Sequence, residues 1–153
     1  MELYILLNNI RSAFNVGSIF RTADAVGAKK IYLSGFSPYP PNFRLEKTAL
    51  GALDFVEWEY EQDVSSILQY LKAEKIPLIS AEQTDKSIDY RSINYPSKLC
   101  LAMGNEVSGI EDIILENSTS IIEVPMYGRK NSLNVSVVFG IVAYHIKNNV
   151  SSI

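Results

Sequence analysis

The chain has 153 residues, enough for one domain with a single sizeable core. Hydrophobic residues make up 47% and charged residues 20%, and 14 Lys+Arg stand against 17 Asp+Glu, a net charge of −3 that excludes a broadly basic, histone-like binder. No apolar run approaches the roughly 18 residues of a membrane span, and the start, Met1–Asn9, lacks a basic segment and a small-residue cleavage site. A soluble cytoplasmic protein with no membrane partner is expected.

In chain order, Leu3–Leu7 reads as a short buried strand, followed by an Asn-rich loop. A helix is expected from about Val16 to Val26, with Asn15 as its N-cap and Gly27 closing it. Lys30–Leu33 is a second strand. Pro38, Pro40 and Pro41 make Gly35–Phe43 a loop, and the loop is carried on to Lys47. Alternation over Asp54–Tyr60 predicts a strand, and Asp63 caps a helix to about Lys75 with Val64, Ile67, Leu68 and Leu71 on one stripe. Pro77–Ala81, Leu99–Met103 and Ile121–Val124 read as further strands, with a short helix near Glu111–Glu116 and a final helix over Ser132–Asn149. Strands and helices alternating at this spacing imply one α/β domain over 1–153, a mostly parallel sheet flanked by helices on both sides.

The lone Cys100 can form no internal disulfide, and with one His in the chain no metal cluster is expected. Cys100 lies in an apolar strand and reads as buried rather than nucleophilic. His145 reads as a packed or helix-end histidine. The sequons at Asn117, Asn134 and Asn149 carry no glycosylation meaning without a secretory signal.

Charge is segregated along the chain: residues 1–50 carry +3, residues 51–123 carry −9 and residues 124–153 carry +3. If the two ends meet in space they make a basic surface able to attract phosphates.

Three segments carry more than a fold needs. In Asn15–Ala23, Gly17 and Arg21 lie one turn apart, so the guanidinium would lie over bare backbone, open to a polar ligand near the free amides of the helix start. In Leu101–Gly109 an apolar strand runs into a turn with Gly104, Gly109 and the carboxylate of Glu106, beyond a strand's carboxyl end where α/β proteins bind ligands. A phosphate-binding P-loop is excluded, because Ile110-Glu111 replaces Lys-Ser/Thr, and no G-x-G-x-x-G fingerprint exists. In Val124–Val137 a strand ends at Pro125, a polar loop follows, and a helix apolar nearly all round begins. Such a helix is expected to pack on both the sheet and a second subunit.

Read together as N-x-G-x-x-x-R-T-A (Asn15–Ala23), M-G-N-E-x-x-G (Met103–Gly109) and V-P-M followed by S-L-N-V-S-V (Val124–Val137), the three segments resemble the SpoU (TrmH-type) branch of the SPOUT RNA methyltransferases. The resemblance covers almost the whole chain. It implies a C-terminal trefoil knot, an exception to unknotted topology, and transfer of a methyl group from S-adenosyl-L-methionine to a ribose 2′-hydroxyl of tRNA or rRNA, tRNA slightly favoured. By similarity, Gly104, Val124, Met126 and Leu133 hold the cofactor. Asn15, Arg21, Glu106, Ser132 and Asn134 match catalytic or site-shaping positions. A guanidinium stays charged at neutral pH, so Arg21 is read chiefly as a clamp on phosphate and 2′-oxygen rather than a base. Arg11, Arg21, Arg44, Lys47, Arg129 and Lys130 are the expected RNA-binding cations. The resemblance further implies a homodimer, while no RNA-recognition domain is found in the sequence. The competing readings are a catalytically idle RNA- or cofactor-binding module of the same fold, and a small nucleotide-binding enzyme unconnected with RNA.

Overall fold

A computed structural model describes residues 1–150. Seven strands form one sheet in the order β3-β2-β1-β6-β4-β7-β5: β1 (Glu2–Asn8), β2 (Lys30–Ser34), β3 (Glu57–Glu61), β4 (Leu78–Ala81), β5 (Ile88–Asp89), β6 (Lys98–Met103) and β7 (Ser120–Glu123). Every ladder is parallel, with Tyr4 beside Lys30 and Cys100, and Ser80 beside Ala102 and Ile121. The helices are α1 (Ala13–Ala25), α2 (Phe43–Ala49), α3 (Val64–Ala73), α4 (Asp112–Glu116) and α5 (Val135–Asn148).

Side chains alternate across the pleat, so β1 divides its residues between two cores. Leu3, Ile5 and Leu7 join Ile31, Leu33, Leu99, Leu101 and Met103 under α1, α2 and α5. Tyr4 and Leu6 join Tyr32, Cys100 and Ala102 under α3 and α4. Strands covered on both faces have to be apolar almost throughout, which is why β1 and β6 read as unbroken hydrophobic runs. Cys100 sits wholly buried in this second core, and burial pushes its thiol pKa up, consistent with a structural role.

Besides the strand expected over Asp54–Tyr60, which runs Glu57–Glu61 after a short 3-10 turn at Ala52–Asp54, four expectations are corrected. Helix α1 begins three residues earlier than the sequence implied: Ser12, not Asn15, is the N-cap, its hydroxyl accepting from the Asn15 N–H. Asn15 thereby enters the first turn with its side chain free for another partner. Part of the 35–47 segment is not loop but α2, whose N-cap Asn42 accepts from the N–H groups of Arg44 and Leu45; the prolines end before it starts. Gly17 is buried and faces protein rather than a ligand: a methyl group there would lie 2.0 Å from Thr48 Oγ1 and 2.2 Å from the Leu45 carbonyl oxygen. Its missing side chain permits the close crossing of α1 and α2. The last helix starts at Val135, capped by Asn134, leaving Ser132 and Leu133 in the loop before it. The two-residue β5 was not legible in the sequence.

His145 lies near the end of α5, its ring edge-on to Tyr90 at 4.9 Å and Tyr95 at 5.8 Å between centroids. No helix among the described residues is long and apolar enough to cross a membrane.

Candidate functional site

A cleft opens where β4, β6 and β7 end. Its walls are Ala81–Gln83 after β4, Met103–Glu106 after β6, Ile122–Val124 at the end of β7, the loop residues Met126, Ser132 and Leu133, and Val135 and Val138 of α5. Parallel strands deliver their carboxyl ends to one edge, which is where an open α/β sheet leaves room for a ligand. The cleft is open to solvent on one side, and its lining mixes apolar and polar side chains. All four residues expected to hold cofactor, Gly104, Val124, Met126 and Leu133, line this cleft. So do Glu106 and Ser132.

The turn after β6 is built by its own residues. Asn105 Oδ1 accepts from the N–H groups of Val107 (2.9 Å) and Ser108 (2.8 Å), and the backbones of Asn105 and Gly109 bond reciprocally. Gly109 has φ +77°, a conformation that suits glycine. A methyl group at Gly104 would lie 2.8 Å from the Gly109 carbonyl, so the chain folds back here only because both residues are glycine. Glu82 completes the turn, accepting from the Ile110 N–H at 2.9 Å.

Glu106 is thereby aimed at the start of α1. Its carboxylate accepts from the N–H of Arg11 (2.8 Å), the N–H of Ser12 (3.1 Å) and the amide of Asn15 (2.9 Å). Asn15 Oδ1 in turn accepts from Asn134 Nδ2 at 3.1 Å, while Asn134 Oδ1 accepts from the N–H and hydroxyl of Ser136. Residues 91 and 119 positions apart thus form one chain, Glu106–Asn15–Asn134, joining the ends of β6, α1 and α5. Loss of hydration is the largest influence on Glu106 and raises its pKa. The bonds from Arg11, Asn15 and Ser12 together outweigh it and hold the carboxyl below the ordinary glutamate value.

The 124–134 loop is tied from outside. Arg91 is paired with Asp89, and its Nη2 donates to the Tyr127 hydroxyl at 3.0 Å. Arg91 holds the Asp89 carboxyl down at about 2.

Arg21 stands apart from this network. Six positions after Asn15, it lies about 120° away from it around the helix axis, in a depression shared with Lys47, Thr48 and Tyr144. The six expected RNA-binding cations therefore form three groups rather than one patch. Arg11 and Arg44 share a groove beside Glu106, Arg21 and Lys47 share the α1/α5 flank, and Arg129 and Lys130 are exposed on the 124–134 loop.

Sequence reasoning passed over Asn105 and Glu82. Asn105 was legible as a side chain able to cap its own turn, and Glu82 as a polar residue just beyond a strand's carboxyl end.

The chain belongs to the SpoU rRNA methylase family, which it matches over residues 2–144. It is 28% identical to a tRNA (guanosine(18)-2′-O)-methyltransferase of Escherichia coli strain K12, an alignment spanning 94% of this chain and 62% of that protein. It is 30% identical to the 23S rRNA (guanosine-2′-O-)-methyltransferase RlmB of Neisseria meningitidis, over 92% of this chain and 56% of that one. Among solved structures, an AdoMet-bound rRNA methyltransferase from Sinorhizobium meliloti superposes with a TM-score of 0.91 at 28% identity, covering 99% of this chain and 57% of the other. The chain thus spans about six-tenths of the length of these relatives.

Proposed function

We propose that this chain is a catalytic unit transferring a methyl group from S-adenosyl-L-methionine to a ribose 2′-hydroxyl of RNA, in the cytoplasm, with tRNA slightly preferred to rRNA. The observation that carries the reading is the meeting of the second and third motif segments at one strand-end cleft, with the first tied to both through Glu106–Asn15–Asn134.

The cleft suits this cofactor on its own chemistry. Met103, Ile122, Val124, Leu133, Val135 and Val138 offer an apolar lining, while Glu82, Glu106 and Glu123 supply negative charge and, among the described residues, no Lys or Arg lines the cleft. A sulfonium cation is favoured there, and an anionic nucleotide phosphate is not. That charge balance disfavours a small nucleotide-binding enzyme. When bound, the cofactor supplies an already activated methyl donor. Gly104, Val124, Met126 and Leu133 would hold it, and Glu106 and Asn134 position the surrounding backbone.

Arg21 acts on the attacking hydroxyl as a cationic clamp that favours developing alkoxide charge. Because Arg21 lies on the α1/α5 flank, it serves a cleft only across a homodimer interface. That flank carries half-exposed Val137 and Tyr144, an apolar stripe on α5 continuing to Ile141. The resemblance to this family supports a trefoil knot at the C-terminal segment within the same reading, and the parallel bridge of Tyr95 to Val150 brings Val150 beside the residues preceding β6.

The test is methyl incorporation from labelled S-adenosyl-L-methionine into total cellular RNA, with digestion to nucleosides. Label in 2′-O-methyl nucleosides that vanishes with Arg21→Ala supports the reading. Cofactor binding in calorimetry without any incorporation would favour the idle module, and equal incorporation by the variant would remove Arg21 from its role.

A further inference from the structure

The groove beside the cleft holds three phenylalanines that the fold does not bury. Phe36 is 64% exposed, Phe43 is 78% exposed and Phe14 is 45% exposed, and all three line the same groove with Arg11 and Arg44. Neither arginine has a carboxylate partner among the described residues. Glu106 lines both this groove and the cleft, so the two adjoin at that residue. Its charge is already engaged by the Arg11 and Ser12 N–H groups and by Asn15, leaving the guanidinium groups free.

From this juxtaposition we infer that the groove is a stacking platform for unpaired RNA nucleotides flanking the target ribose, a subsite that rests on the function proposed above. Exposed rings next to unpaired guanidinium groups suit a ligand carrying flat apolar faces and phosphates together. A single-stranded nucleic acid has both. A paired A-form helix does not, because its bases are stacked on one another and its accessible surface is sugar and phosphate. The groove thus selects RNA by looseness of structure, placing bases on Phe36 and Phe43 while Arg11 and Arg44 meet the backbone. Phe36 and Phe43 are specificity-determining; neither touches the reacting atoms.

Fluorescence anisotropy with the full chain tests this, using a labelled RNA hairpin with an unpaired loop and a fully paired duplex of equal length. Tighter binding to the hairpin is expected. Phe36→Ala and Phe43→Ala should each weaken hairpin binding by about tenfold, from the loss of one base stack, with duplex binding and the salt slope unchanged. Arg44→Ala should instead lower the salt slope by about one. Phe55→Ala, equally exposed at 78% but outside the groove, should bind as the parent does. Hairpin binding retained in both phenylalanine variants would overturn the platform and leave the methyltransferase reading standing. Loss of a dimer in Phe36→Ala or Phe43→Ala by sedimentation would also overturn it, assigning the face to a second copy. If the parent chain binds neither RNA, the proposed function falls with the platform.

Discussion

Asn15 uses both ends of its amide, donating to Glu106 and accepting from Asn134. No other side chain of its size does the same: an ionised aspartate can only accept and so loses the bond to Glu106, and alanine removes both bonds. Asn15→Ala should cost about 1–3 kcal/mol, leaving a charged acceptor short of a donor, measurable by urea unfolding. Asn15→Asp should be worse at neutral pH, since two carboxylates would then share the space of one hydrogen bond. That pair raises a native-state pKa above its unfolded value, so the extra loss should shrink as pH falls and one carboxyl protonates. An Asn15→Asp defect independent of pH would count against the pairing. Glu106 itself has a lowered pKa in the folded state. Its contribution is present above the unfolded value and disappears as pH falls through the folded one. Glu106→Gln should therefore flatten the decline in stability at acid pH below the ordinary glutamate range, and a superimposable pair of pH–stability curves would refute the charge-assisted bonds.

Among the elements, α1 is the piece on which position depends. Its N-terminus is pinned by Glu106, its apolar stripe of Val16, Ile19, Phe20 and Ala23 is buried, and its Gly17 seats α2. Moving the N-cap from Asn15 to Ser12 changes the function of the first turn, because it frees Asn15 to bridge two distant segments. Gly17→Ala should overpack the crossing by about 1–3 kcal/mol, a fall of roughly 2–12 °C in Tm for a domain of this size. Gly128→Ala, with open space around the added methyl, should stay within about 0.5 kcal/mol. Scanning calorimetry of the two variants separates close packing from general glycine intolerance. Equal Tm values for Gly17→Ala and the parent would mean that α2 gives way freely.

At the scale of the molecule, the sheet gathers its strand ends into one cleft while α1 and α5 leave an apolar flank uncovered. Tyr144→Asp on that flank should convert a dimer to monomer in sedimentation velocity and abolish methyl transfer, because Arg21 would lose the neighbouring cleft. A monomeric parent chain, or a monomeric variant with full activity, would refute the shared site. The charge distribution makes a matching demand: cations sit in three groups on the first and last segments, so RNA affinity should fall as salt rises. A flat salt response would exclude phosphate contacts as the source of binding.

Hydrophobic runs and their spacing sufficed to place β1, β2, β4, β6 and β7, because a strand buried on both faces has few compositional choices. Asp63 marked α3 by itself, since a side-chain cap acts on amides two or three residues away. Likewise, the second and third motif segments marked two of the loops that line the cleft, from Gly104 to Leu133. Tertiary structure alone decided the rest. Nothing local distinguishes a glycine that admits a ligand from one that admits Thr48, nor an asparagine that caps its own helix from one that joins Glu106 to Asn134. The separation of Arg21 from the cleft and the gathering of Phe14, Phe36 and Phe43 into one groove are of the same kind. Each depends on where remote chain segments cross, and side-chain periodicity carries only the orientation of a residue within its own helix or strand.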